Sequence, residues 1–145
     1  MYEFVDRPVT TLDKGCRFLI WSMRSWILVA SHKECPGQTL APAFAQWKMI
    51  GGLQPFLRLM ITLNRDSLDK IQFCSLNCNR VSEHEAVLLS LFVELADGDR
   101  IRARDTISLL VSDEAVGDLL NAVTGLSNSL RHAEIEPRRP DHARL

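Results

Sequence analysis

The sequence predicts an all-α protein: an irregular bundle of five or six helices with a short extended segment around residues 65–81. Three observations predict it. Apolar residues recur at i, i+3, i+4 and i+7 through about 120 residues, the period of an amphipathic helix. The interruptions of that period fall at Ser, Thr, Gly or Pro, residues that cap or stop helices. A hydrophobic fraction of 46% beside 24% charged residues is that of an ordinary soluble globular chain. A chain of 145 residues supplies one sizeable core rather than two. Residues 1–132 are therefore expected to form a single helical domain, and 133–145, rich in Pro and charge, a disordered tail.

Residues 1–9 have no helical period and contain Pro8, so they read as an arm. The first helix is expected from Thr10, an N-cap with Asp13 three residues on, to about Lys33. Its polar residues Lys14, Arg17, Arg24 and Ser31 lie near a seven-residue repeat, and almost everything else is apolar. A helix so apolar around its circumference is central to the fold or covered by another subunit. Arg24, set among Trp21, Met23, Trp26 and Ile27, must reach solvent, an acid or an aromatic face. An exposed stripe shared with Arg17 and Ser31 is the simplest reading.

Cys35-Pro36-Gly37 stops that helix, and Thr39 is expected to cap the next, with Pro42 in its first turn. Leu40, Phe44 and Trp47 keep the period, Gly51-Gly52 interrupts it, and Leu53, Phe56, Leu57, Met60 and Leu63 resume it. Residues 40–64 are thus two helices or one kinked helix. Asn64 to Arg80 is irregular: Lys70–Phe73 alternates as a short strand or extended chain does, and Asn77 and Asn79 favour turns. Ser82-Glu83-His84-Glu85 is a capping box ahead of a helix to about Ala96, with Gly98 at its C′ position. A further helix covers Arg100 to Leu110, and Ser112 is expected to cap the last, which buries Val116, Leu119, Leu120, Val123 and Leu130.

For function, the residues exclude more than they specify. Phosphate-loop and dinucleotide glycine patterns are absent, and no catalytic signature is present, so the reading leans away from an enzyme. A net charge of -1 gives no field that attracts nucleic acid or anionic lipid. Arg100, Arg102 and Arg104 do not share a helical face and are surrounded by acids, which describes a solvated surface rather than a DNA-reading helix. The most apolar run, Phe18–Ala30, is about 13 residues where a membrane span needs about 20, and Arg24 interrupts it. With Glu3 and Asp6 ahead of it, that run is not a signal peptide, so a cytoplasmic protein with reduced thiols is expected.

His32, Cys35, Cys74 and Cys78 together form a Cys3His set, chemically suited to tetrahedral zinc. Two features weigh against it: three residues rather than two separate Cys74 from Cys78, and cysteines are commonly buried as small hydrophobes. If 40–64 were one helix, residues 65–73 would also have to span roughly 30 Å to return the pair to Cys35. No cofactor is otherwise expected. Cys16 lies on the apolar face of the first helix and reads as core. His84-Glu85 lacks the second His of a zinc-protease helix, since Leu88 stands there, so Glu85 reads as half of the capping box.

Trp21, Trp26, Trp47, Phe18 and Phe44 read as core aromatics, or as the lining of a ligand pocket between helices. Three functions follow. The leading one is a non-enzymatic association module, a homo-oligomer using the surplus apolar surface of the first or last helix. The others are a structural zinc domain, and a ligand-binding or enzymatic bundle.

Overall fold

The structure, a computed structural model, describes residues 3–140. Six α-helices follow one another: α1 (Lys14–Ser31), α2 (Pro36–Gln46), α3 (Leu53–Asp66), α4 (Glu83–Ala96), α5 (Arg100–Leu110) and α6 (Val116–His132). Short 3-10 turns at Val9–Thr11, Ile50–Gly52 and Asp113–Ala115 punctuate them. No strand occurs among the described residues, and Lys70–Phe73 has no regular secondary structure. One isolated antiparallel bridge joins Ser67 to Val111. The all-α expectation holds.

α1 starts later than expected because Pro8 seeds a 3-10 turn in which Thr10 and Thr11 are used up. The cap is instead Asp13, whose Oδ1 accepts from Cys16 N at 2.8 Å. The next junction also differs. Pro36, with its φ preset for the first turn, starts α2 itself. Thr39 therefore does not cap, and Pro42 lies inside the helix, where it can offer no N–H to the preceding turn. Residues 40–64 resolve as parts of two helices: α2 stops at Trp47, Lys48 takes φ 61°, and the Ile50–Gly52 turn redirects the chain.

Gly52 is there for close approach, since a Cβ on it would lie 2.9 Å from Ser129 Cβ of α6. α3 and α6 then form the most extensive helix pair in the molecule. α4 has the full capping box: Ser82 Oγ accepts from Glu85 N at 3.3 Å, and Ser82 N donates to Glu85 Oε1 at 2.9 Å. Its residues Leu88 to Leu95 are all buried, which makes it the central helix. Gly98 at φ 80° ends it in the left-handed conformation expected of a C′ glycine. α5 is capped by Asp99 and exposes Arg100, Arg102 and Arg104. Ser112 makes no side-chain cap, because the Asp113–Ala115 turn intervenes before α6.

One contiguous set of buried side chains draws on all six helices. The charge-rich stretch from Ala133, read from composition as a tail, is laid back over the start of α1 as far as Pro140. Ile135 packs on the core, Pro137 is buried, Arg138 N donates to Asp13 Oδ2 at 2.9 Å, and Arg139 pairs with Glu3 and Asp97. Residues 141–145 lie outside those described.

Candidate functional site

The site is built on α1, and its interior half is Arg24. This residue is not part of an exposed stripe. It is 3% exposed, and Glu85, fully buried at the start of α4, is its partner. Nε donates to Glu85 Oε2 at 2.7 Å and Nη2 to Oε1 at 2.9 Å, a bidentate fork. The remaining donors reach backbone: Nη2 to Arg80 O (2.8 Å), and Nη1 to Cys78 O (2.7 Å) and Ser75 O (3.1 Å). Every guanidinium N–H is therefore used. Glu85 is equally occupied, taking Ser82 N at 2.9 Å and Cys74 N at 3.3 Å as well. The carboxylate beside it holds Arg24 firmly in its charged form.

A buried ion pair costs several kcal/mol of lost hydration per ion and survives only when each hydrogen bond is matched. Here the matching groups belong to the irregular segment 67–82, which has no ladder of its own to satisfy its carbonyls. Further bonds pin it: Leu68 N to Leu110 O, Gln72 N to His84 Nδ1, Ser82 Oγ to Gln72 O, and Val81 to both Asp6 and Arg7. His84 thus closes the segment onto α4 through Gln72. Ile71 and Phe73 pack on the core from the same stretch. Sixteen residues without regular structure are held across the middle of α1 by one charge pair and its neighbours.

The exterior half of the site lies alongside. Trp21, three residues before Arg24, is 38% exposed, and Trp47 at the end of α2 is 40% exposed. Between them stands buried Phe18, its ring centroid 6.4 Å from Trp21 and 5.4 Å from Trp47. The aromatic series continues inward through Phe44, 4.9 Å from Phe18 and edge-on to it, to Phe56 at 5.3 Å. Trp47 and Trp21 therefore form the outer end of a ring stack rooted in the core, while Trp26 is buried.

A groove of about 500 Å³ runs between these two tryptophans, bordered by Arg17, Ala43 and Gln46. A second depression shares Trp21, Ala43 and Gln46 with it and extends the face to Leu28, Leu40 and Pro42, with Leu76 of the pinned segment at its edge. Leu28 and Leu76 are 46% and 39% exposed. The result is a continuous apolar face across α1, α2 and the 74–78 turn.

Of the sequence-predicted metal set, Cys74 and Cys78 come together on that turn. His32 and Cys35 lie exposed at the α1–α2 junction, and neither completes a set of three with them. Among the described residues, no group of three or more His, Cys, Asp or Glu side chains is placed to hold a metal ion. All four cysteines are free thiols. Cys16 is fully buried, and burial, followed by the Asp13 charge, pushes its thiol well above the usual range. Sequence reasoning missed the Arg24–Glu85 pair. The only signal for it was an arginine inside an apolar run, which names a need for a partner but not the partner.

A second buried carboxylate, Glu94 on α4, has no cation within salt-bridge reach among the described residues. Thr106 Oγ1 lies 2.9 and 3.2 Å from its oxygens and 3.0 Å from Arg102 O. Burial, the largest influence, raises its pKa above the ordinary glutamate value. No helix among the described residues is long and apolar enough to cross a membrane. Compared with protein-family models, curated proteins and solved structures, the chain matches none.

Proposed function

We propose that this protein is a non-enzymatic association module that pairs with a second copy of itself through the α1/α2 face. The observation that carries the reading is the unfinished ring stack: Trp21 and Trp47 stand half in water at the end of an aromatic series anchored in the core. Large aromatic side chains with fixed rotamers are the residues that dominate association energies when buried at an interface, and here they are pre-positioned by Phe18 and Phe44. Leu28 and Leu76 extend the apolar area, and Arg17 borders it, the apolar centre and polar rim of an interface.

Sedimentation velocity over a concentration series tests this. The wild-type chain is expected to move from monomer to dimer by high micromolar concentration. Trp21→Ser/Trp47→Ser is expected to stay monomeric with the same helical circular dichroism. A wild-type chain that stays monomeric throughout refutes self-association. A dimer unaffected by the double substitution moves the interface off this face.

A further inference from the structure

We propose that Cys74 and Cys78 form a two-electron thiol–disulfide site, closed by exchange with a low-molecular-weight disulfide. The backbone argument comes first. A turn places Cys78 N 3.1 Å from Ser75 O, and the two cysteines flank it. The buried ion pair then holds each of them: Glu85 Oε2 accepts from Cys74 N, and Arg24 Nη1 donates to both Cys78 O and Ser75 O. Both cysteines are half-buried, so a small reagent reaches them, and their thiols lie close enough to influence one another electrostatically. Holding two thiols at the ends of one short turn lowers the entropic cost of joining them, because the loop closed is short and already formed.

The other two cysteines lie elsewhere: Cys16 is sealed in the core, and Cys35 is an exposed free thiol at the α1–α2 junction. Either thiol can enter, because the disulfide formed is the same; with Cys78 entering, Cys74 resolves.

The reaction balances with glutathione disulfide as oxidant. The Cys78 thiolate attacks one sulfur of glutathione disulfide, the S–S bond breaks, and one glutathione leaves as a thiolate that takes up the proton Cys78 gave. The Cys74 thiolate then attacks the Cys78 sulfur, forming the Cys74–Cys78 bond and releasing the second glutathione, which takes the Cys74 proton. Two protein thiols are oxidised and one disulfide is reduced to two thiols. The 74–78 turn also borders the association face through Leu76, but the thiol exchange needs no second copy of the chain.

The experiment uses the full chain carrying Cys35→Ala, equilibrated in glutathione disulfide, quenched with an alkylating agent and digested with trypsin. Residues 71–80 form one tryptic peptide that contains both thiols. The expected product is that peptide lighter by two hydrogen atoms, unalkylated, and restored by dithiothreitol, with unchanged helical circular dichroism. Cys74→Ser and Cys78→Ser are each expected to stop at a single mixed disulfide with glutathione. A 71–80 peptide recovered with two alkylated thiols, or with two separate glutathiones, overturns the proposal.

Discussion

Trp21 and Arg24 are three residues apart on α1 and meet opposite fates. Arg24, the residue that needs partners most, finds all of them inside the chain. Trp21, which gains most from leaving water, is left 38% exposed beside an equally unfinished Trp47. The difference shows what constrains each half of the helix. A buried guanidinium without matched acceptors costs too much to persist, so residues 67–82 are drawn over it. An exposed indole costs only apolar hydration, so a half-exposed Trp21 is tolerated in the single chain.

The largest effect should come from breaking the satisfied half. Arg24→Met leaves the Glu85 carboxylate buried with no counter-charge, held only by Ser82 N and Cys74 N, and frees three backbone carbonyls. Urea unfolding should show a loss of about 3–5 kcal/mol. Arg24→Met/Glu85→Leu should cost less than the sum of the two single substitutions, and an additive cycle would mean the pair acts independently.

A smaller effect should follow at the other end of α1. A Cβ on Gly15 would lie 1.9 Å from Ile135 O, so Gly15→Ala must lift the 133–140 segment. The expected destabilisation is about 1–3 kcal/mol. Faster amide exchange at Ile135, which donates to Leu130 O, would locate it.

Glu94 gives the smallest effect and sharpens the contrast with Glu85, because among the described residues no cation pairs with it directly and Arg102 and Arg139 act on it only at longer range. Its folded pKa is raised, so the folded state holds a proton that the unfolded state releases just above pH 4.5. Stability should therefore fall as pH rises from 4.5 through the folded value, and level off beyond it. Glu94→Gln should remove that slope in thermal unfolding followed from pH 4 to 8. A protonated carboxyl could also donate to Thr106 Oγ1, leaving the hydroxyl proton for Arg102 O, which a neutral amide preserves.

The helices were readable because each buries one face against its neighbours, and that leaves a period in the sequence. The capping box at Ser82 and the left-handed Gly98 were readable for the same local reason: both ends of each bond lie within a few residues. Arg24 was not. Its acceptors come from residues 75–85, a stretch whose order depends on Arg24 itself and which therefore carries no periodic mark. The docking of 133–140 was hidden likewise, because Pro137, Arg138 and Arg139 resemble solvated tail until Asp13, Gly15 and Glu3 are set beside them. Cys74 and Cys78 were noticed as a pair, but the ion pair that positions them could only be seen in three dimensions.

The central claim is that the unfinished aromatic end of α1 and α2 is covered by a second copy. Tryptophan emission, followed from nanomolar to high micromolar chain concentration, tests it most directly, since Trp26 is already buried and only Trp21 and Trp47 have water to lose. A blue shift that rises with concentration, and that is absent in Trp21→Ser/Trp47→Ser, is the predicted result. Emission that stays constant across the series while sedimentation reports a dimer would contradict the account.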